Sequence, residues 1–269
     1  MEKLSSRENA LIKQIIKLNT SAKERKSREL LFLEGLRLCT DAVENKIPIT
    51  HLLISETAYG KYESELQELI NSAQSSFILT DALARQVSET ENTQGVFVLC
   101  KYPKQPVLHD LNGSFVFLEN LQDPGNMGTI IRCAEAFGVS AVIISKGSAD
   151  PWSPKVMRSA MGSSLRIPII QVDFMPTTID QMRKQGISVY GAALNKNAKS
   201  PTEILPSHNG IGIVIGNEGN GLTDETLNAC SSAVFIPMTN KIESLNAASA
   251  ATVLIWEIAG KQLLAEDNR

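Results

Sequence analysis

Three stretches of this 269-residue sequence hold residue types that could act together chemically. IGNEGNGL (215–222) is a glycine-rich turn that carries a carboxylate, Glu218. LENLQDPGNMGTIIRCAEAFG (118–138) runs a second glycine turn into an apolar helix holding one permanent cation, Arg132. IPMTNKIESLNAASAA (236–251) ends in a run of small residues entered through Ser244 and Asn246. Glycines permit positive φ and close approach of backbone to a ligand. The spacing G-x-x-G-x-G is not the G-x-G-x-x-G of a dinucleotide fold, and no GK[ST] follows it.

A carboxylate in the first turn would oppose a pyrophosphate, because phosphate loops collect donors and positive charge. The turn suits a cationic cofactor without phosphates, such as S-adenosylmethionine; equally, it is a tight turn whose Glu218 caps neighbouring amides. On a helix, Gly128 and Arg132 lie one turn apart on one face, so the guanidinium projects over the second turn. There it can clamp a phosphate, or reach a structural carboxylate such as Glu119 or Glu218. Ser244 and Asn246 can each cap a helix or hydrogen-bond a substrate. The small residues after them fit core packing or a dimer interface as readily as catalysis.

The elements that must position these residues are legible from apolar runs. FVFLEN, AVIIS, IPIIQV, SVYGAAL, IGIVIG and AVFIPM are continuous and rich in Val and Ile. Runs without polar alternation imply strands covered on both faces, hence a mainly parallel sheet in a three-layer α/β domain. Ligands of such sheets bind beyond the carboxyl ends of strands, and all three stretches fall there. A long helix is expected over 244–264. KYPKQPVLHD (101–110), with two prolines, reads as a linker and divides the chain into 1–105 and 106–269. Ahead of it, helix (9–18), RELLFLEGLRLCTDAVEN, HLLIS, YESELQELINSA, FILT, helix (81–87) and GVFVLC alternate as in a smaller α/β domain.

Composition is that of an ordinary globular chain, 43% hydrophobic and 20% charged. No apolar run approaches the roughly 18–20 residues needed to cross a bilayer, and MEKLSSRENALIKQ is too charged for a secretory signal. Cys39, Cys100, Cys133 and Cys230 are scattered, with no C-x-x-C pair and no histidine at ligand spacing. Reduced thiols in a cytoplasmic protein, and no metal, are the expectation. The net charge of -3 hides an uneven distribution. Residues 1–28 hold eight Lys/Arg against three Glu, leaving -8 on the rest. That segment can attract phosphates, or it is a solvated face of charge pairs. Lys155 and Arg158, in DPWSPKVMRSAMGS (150–163), offer a further pair of phosphate contacts or surface charges.

Together the three stretches resemble the SpoU/TrmH family of RNA ribose 2′-O-methyltransferases, in the SPOUT superfamily. The first motif, N-x-G-x-x-x-R, is Asn126, Gly128 and Arg132. The second is Gly216, Asn217, Glu218 and Gly219; the third runs from Ile236 through Ala250. The resemblance covers residues 110–269. FLEGLRLCTDAV (32–43) and TQGVFVLC (93–100) are similar to landmarks of the small α/β RNA-binding domain of members that act on ribosomal RNA.

The resemblance implies a C-terminal domain with a deep trefoil knot, which pattern alone would not suggest, and a homodimer packed through knot-region helices. It implies S-adenosyl-L-methionine held by Gly216, Ile236, Met238 and Leu245. It assigns Arg132, Asn126, Glu218, Ser244 and Asn246 to catalysis, with the counterpart of Arg132 as general base. The expected reaction is ribose 2′-O-methylation of 23S ribosomal RNA. Transfer RNA is the alternative substrate, and a non-catalytic RNA-binding assembly factor the alternative role. A dinucleotide-dependent oxidoreductase is disfavoured by the glycine spacing and Glu218.

Overall fold

A computed structural model describes residues 1–193, 198–239, 241–242 and 244–266. The chain divides into two compact units, Met1–Lys104 with Trp152–Arg166, and Gln105–Pro151 with Ile167–Arg269.

The first unit begins with β1 (Glu2–Leu4), α1 (Ala10–Thr20), α2 (Ala22–Arg28), β2 (Leu30–Glu34) and α3 (Leu36–Glu44). It continues through β3 (Ile49–Ser55), α4 (Glu56–Lys61), α5 (Glu63–Ser72), β4 (Ala73–Leu79), α6 (Asp81–Val87) and β5 (Val96–Lys101). The strands line up as β1-β4-β3-β5-β2. β4 runs parallel to β1 and β3, while β5 is antiparallel to β3 and β2. Asn9 caps α1 by accepting from the Leu11 N–H at 2.8 Å. Helical spacing then puts Ile12, Ile15 and Leu18 on one stripe, packed against Leu53, Leu79 and Phe97.

The basic N-terminal segment is partly structural. Arg25 is buried and donates to the carbonyls of Leu18 and Asn19, carbonyls that the end of α1 leaves without helical partners. Lys3 pairs with Glu56, Lys13 with Glu8 and Arg28 with Glu24. The expectation of a phosphate-gripping segment narrows to the exposed Arg7, Lys17, Lys23 and Lys26.

The second unit starts with β6 (Gly113–Leu118), α7 (Pro124–Ala136) and β7 (Ala141–Ser145). α8 (Pro154–Ala160) follows in sequence but lies within the segment belonging to the first unit. Next come β8 (Ile169–Val172), α9 (Met175–Lys184), β9 (Ser188–Ala192), β10 (Gly210–Ile215), α10 (Asp224–Ala229) and β11 (Ser232–Val234). α11 (Ala247–Ile255), a π-helical stretch (Trp256–Gly260) and α12 (Lys261–Glu266) end the described chain.

Among the described residues the sheet order is β11-β9-β10-β6-β7-β8, and every pairing is parallel, as the apolar runs imply. Side chains alternate across it. Phe115 and Phe117 pack with Met175, Ile179 and Ala229 from α9 and α10. On the other face, the Ser114 hydroxyl donates to the Ile258 carbonyl at 3.2 Å, on the side of α7 and α11. The chain passes from β6 outward to β7 and β8, then returns beyond β6 to β9 and β10. The reversal leaves a crevice at the carboxyl ends of β6 and β10, the usual ligand position in such sheets.

Two expectations shift. AVFIPM is strand only as far as Val234, because Pro237 has no N–H to contribute to a ladder. The long helix begins at Ala247 rather than Ser244 and is interrupted at Trp256, whose ring stands edge-on to Phe137 with centroids 5.4 Å apart. Leu194, Asn240 and Glu243, within the expected strand and the third motif, lie outside the described residues.

Candidate active site

The loops after β6 and β10 and the start of α11 are joined through side-chain amides. Glu218 sits in the β10 loop. Its Oε2 accepts from the Gln122 N–H at 3.2 Å, and its Oε1 from the Asp123 N–H at 3.1 Å and from Asn126 Nδ2 at 3.1 Å. Asn126 Oδ1 then accepts from Asn246 Nδ2 at 3.0 Å. Asn246 Oδ1 accepts from the N–H groups of Ala248 and Ser249, at 2.9 and 3.3 Å, and so caps α11.

The direction of this chain is forced. A carboxylate can only accept and helix N-terminal N–H groups can only donate, so each amide between them has one possible orientation. Residues 218, 126 and 246, far apart in sequence, thus share one network.

The network sets the charge of Glu218. Partial burial pushes its carboxyl upward. The Asn126 amide and the backbone N–H groups of Glu218, Gln122 and Asp123 together outweigh that and hold it below the usual carboxylate range. An anion at the N-terminus of α7 also suits the helix dipole. Glu218 is therefore a brace that stays ionised, and a poor proton acceptor.

Gly216 is needed for another reason. A Cβ there would overlap the backbone of Gly221 and Leu222, so only glycine lets the two limbs of the loop touch. Gly221 supplies the left-handed turn, at φ +70°. Asn217 pins the loop: its Oδ1 accepts from the N–H groups of Gly219 and Asn220, and its Nδ2 donates to the Asn120 carbonyl at 2.9 Å.

Arg132 lies on α7, whose stripe Met127, Ile130, Ile131 and Ala134 is buried. Thr129, Arg132 and Ala136 occupy the exposed side. A helix that packs through one stripe can thus carry a cation on the other. Gly128, one turn before Arg132, is buried. Ile236, Met238 and Leu245 are half-buried along the segment joining β11 to α11, and Ser244 is exposed.

Sequence reasoning gave little weight to a second carboxylate. Glu119, at the end of β6, is 4% exposed. It accepts from the N–H and hydroxyl of Thr223, at 2.9 and 3.1 Å, and from the Thr226 hydroxyl. The available signal was an acidic residue closing an apolar strand, with the cap sequence LTDET following the other loop. Ser145 and Ser148, which accept from the N–H groups of Asn120 and Leu121, had no comparable signal.

The cradle can be tested against the expected cofactor. Apolar Ile236, Met238 and Leu245 suit an adenine, the close-packed loop at Gly216 presents backbone rather than side chain, and an ionised Glu218 favours a cation over a phosphate. The residues fit S-adenosylmethionine. Among the described residues, no group of three or more His, Cys, Asp or Glu is placed to hold a metal ion, and no helix is long and apolar enough to cross a membrane.

The chain is similar to known proteins over both of its units. Residues 113–256 match the SpoU rRNA methylase family, and residues 9–98 match an MRM3-like substrate-binding domain. The 23S rRNA (guanosine(2553)-2′-O)-methyltransferase of Bacillus subtilis is 29% identical over 97% of this chain and 100% of its own length. An uncharacterised tRNA/rRNA methyltransferase of Synechocystis is 31% identical over 96% and 94%. The crystal structure of an AdoMet-bound rRNA methyltransferase from Sinorhizobium meliloti superposes with a TM-score of 0.85, at 25% identity over 98% of both chains.

Proposed function

The chain belongs to the SpoU rRNA methylase family, and on that premise we propose that it is a ribose 2′-O-methyltransferase whose substrate is 23S ribosomal RNA and whose methyl donor is S-adenosylmethionine. The observation that carries this reading is the single network through Glu218, Asn126 and Asn246. It brings all three family motifs to the crevice between β6 and β10. The substrate follows the Bacillus relative, named for 23S rRNA, and the match of the first unit to a substrate-binding domain.

S-adenosylmethionine supplies a methyl group already activated on a sulfonium. The protein must align the ribose hydroxyl and deal with its proton. Alignment can supply about 7–11 kcal/mol, against about 10²–10⁴-fold from a general base, so positioning dominates. The Gly216 backbone, Ile236, Met238 and Leu245 hold the donor. An arginine guanidinium carries donors and no acceptor, so it is ill suited to take a proton. The role of Arg132 is to orient the target phosphate and ribose through its planar fork, while water or the phosphate takes the proton. Asn126 and Asn246 each spend one amide N–H on the network and keep one for RNA; Ser244 is exposed two residues before Asn246.

The reading carries a homodimer and a knotted tail as well. Val253 and Trp256 are exposed apolar side chains on the helix beside α7, and their burial against a second copy would place Arg132 near the interface.

Transfer of labelled methyl from S-adenosylmethionine to 23S rRNA fragments tests the activity. Methylation of transfer RNA alone would replace the substrate, and transfer to neither would end the reading. For Arg132→Lys we expect a fall in kcat of at least tenfold at all pH values, since charge is kept and the fork is lost. Near-full activity would refute bidentate positioning.

A further inference from the structure

Trp152–Arg166, the segment that joins the first unit, is poorly satisfied in its polar groups. Among the described residues, three buried side-chain atoms lack a hydrogen-bond partner: Asn19 Oδ1, Arg158 Nη1 and Ser164 Oγ. Two of the three fall in these fifteen residues. A buried guanidinium nitrogen without an acceptor is costly, more so than a neutral donor. The turn closing α8 is strained as well. Met161 holds a left-handed φ of +49° and is 41% exposed, an arrangement that long side chains avoid unless the surroundings impose it. The Asp41 carboxylate lies beside this turn. It packs where a Cβ of Gly162 would stand, and it accepts from Arg166 Nη1 at 3.0 Å, which anchors the segment on α3.

Between α3 and α8 lies a cleft of about 170 Å³. Sites that bury a whole cofactor are typically about 300–1,000 Å³, so this one admits a single ring system. Leu38, Met157 and Met161 give it apolar walls, and Arg37 and Arg158 give it donors. A phosphate is disfavoured because Glu34 and Asp41 also line it. The Glu34 carboxylate is fixed there by Ser88, Thr90 and the Glu89 N–H. A neutral heteroaromatic ring meets these conditions: its faces lie against thioethers, and an acceptor on its edge suits the Arg37 and Arg158 side chains that line the cleft. RNA is read mainly through unstacked bases of this kind, and arginine is the usual partner of the O6/N7 edge of guanine.

We propose that the α3–α8 cleft takes one extruded, unpaired nucleobase of the RNA substrate, its acceptor edge towards Arg158. The proposal rests on the RNA-methyltransferase reading and adds a contact that fixes which RNA is engaged. The adjoining cleft carries Glu44, Glu65 and Glu68, so the phosphates of the incoming strand lie on the α8 side.

The test uses the full chain with Arg158→Met, which keeps an apolar stem, and Arg37→Ala. Steady-state methylation of 23S rRNA fragments should show the KM for RNA raised about tenfold in each variant, the loss of one base contact, with kcat and donor affinity unchanged. The thermal midpoint of Arg158→Met should hold or rise, because an unpaired buried donor has been removed. The dependence of RNA affinity on salt should keep its slope, since a base contact displaces no counterion. A slope smaller by about one would make Arg158 a phosphate contact and overturn the assignment. Wild-type KM for RNA in both variants, with methylation intact, would overturn the pocket and leave the methyltransferase reading standing. A wild-type protein that methylates no RNA would defeat that reading itself. Cross-linking to RNA carrying 6-thioguanosine should label a peptide spanning 156–166; labelling confined to other peptides would also overturn the proposal.

Discussion

Two loop regions of this molecule handle buried polarity in opposite ways. At the ends of β6 and β10, Glu218, Asn126 and Asn246 make a chain in which each side-chain oxygen accepts a hydrogen bond, finishing in the N–H groups of α11. In Trp152–Arg166, Arg158 and Ser164 bury polar atoms with no partner, beside a left-handed Met161. The first region is complete as it stands, as suits a site that must present a fixed geometry to a donor and a ribose. The second is incomplete, as suits a surface whose complement arrives with the substrate. A pre-paid network holds chemistry in place, whereas unmet hydrogen-bonding capacity is free for recognition.

The contrast can be broken by substitution. The largest effect is expected for Gly216→Ala, which drives a methyl into the backbone of Gly221 and Leu222. Overpacking against backbone costs about 1–3 kcal/mol or more, and donor binding measured by calorimetry should be lost even where the protein remains folded. Next comes Asn126→Ala, which takes one donor from Glu218 and leaves Asn246 Nδ2 without its acceptor. At about 1–3 kcal/mol for an unsatisfied group, kcat/KM should fall about 10–100-fold. Glu218→Gln should fall similarly, and the double variant should be no worse than the poorer single one, because the two residues share one network. Additive losses would show two independent contacts instead.

A smaller effect concerns pH. The Glu218 carboxyl is held below its ordinary value of 4.5. Its contribution to stability is therefore full above that value and is lost as pH falls through the lower, folded one. Thermal midpoints between pH 5 and 3 should fall less steeply in Glu218→Gln than in the wild type. The smallest effect is expected for Ser164→Ala, within about 0.5 kcal/mol of wild type in a denaturant melt or slightly stabilising, since no hydrogen bond is removed. A loss above about 1 kcal/mol would mean that this hydroxyl is satisfied after all.

Much of this was legible in the residues. Among the described residues, each of the six apolar runs of the second half overlaps one strand of the parallel sheet, because a strand covered on both faces needs no polar alternation. Glu218, Asn126 and Asn246 lie in stretches singled out because glycine and small-residue turns at strand ends mark where backbones approach a ligand, and hydrogen bonds join these three. The roles inside the site were less legible. Asn126 and Asn246 were both expected in catalysis, but nothing in their types announces that each also holds the other. Glu119 reads as one more acid until the fold sets it under Thr223 and Thr226. Arg25 counted among eight basic residues, yet it closes the end of α1; a charge count cannot separate a solvated cation from a buried cap. β1 spans three residues, too few for a period to register. The cleft of α3 and α8 was invisible because its walls lie more than a hundred residues apart and meet only in the fold, where Asp41 pairs with Arg166.

The π-helical stretch Trp256–Gly260 carries one residue more than an α-helical turn would hold. Each α-helical residue rotates the side-chain direction by about 100°, so Lys261, Gln262 and Leu263 emerge about a quarter-turn away from where an unbroken α11 would have aimed them. The surplus residue acts as a phase shifter on the tail. Deleting one position there would redirect everything after Gly260 and leave the Asn246 cap untouched, so the aim of the tail can be altered independently of the site it follows.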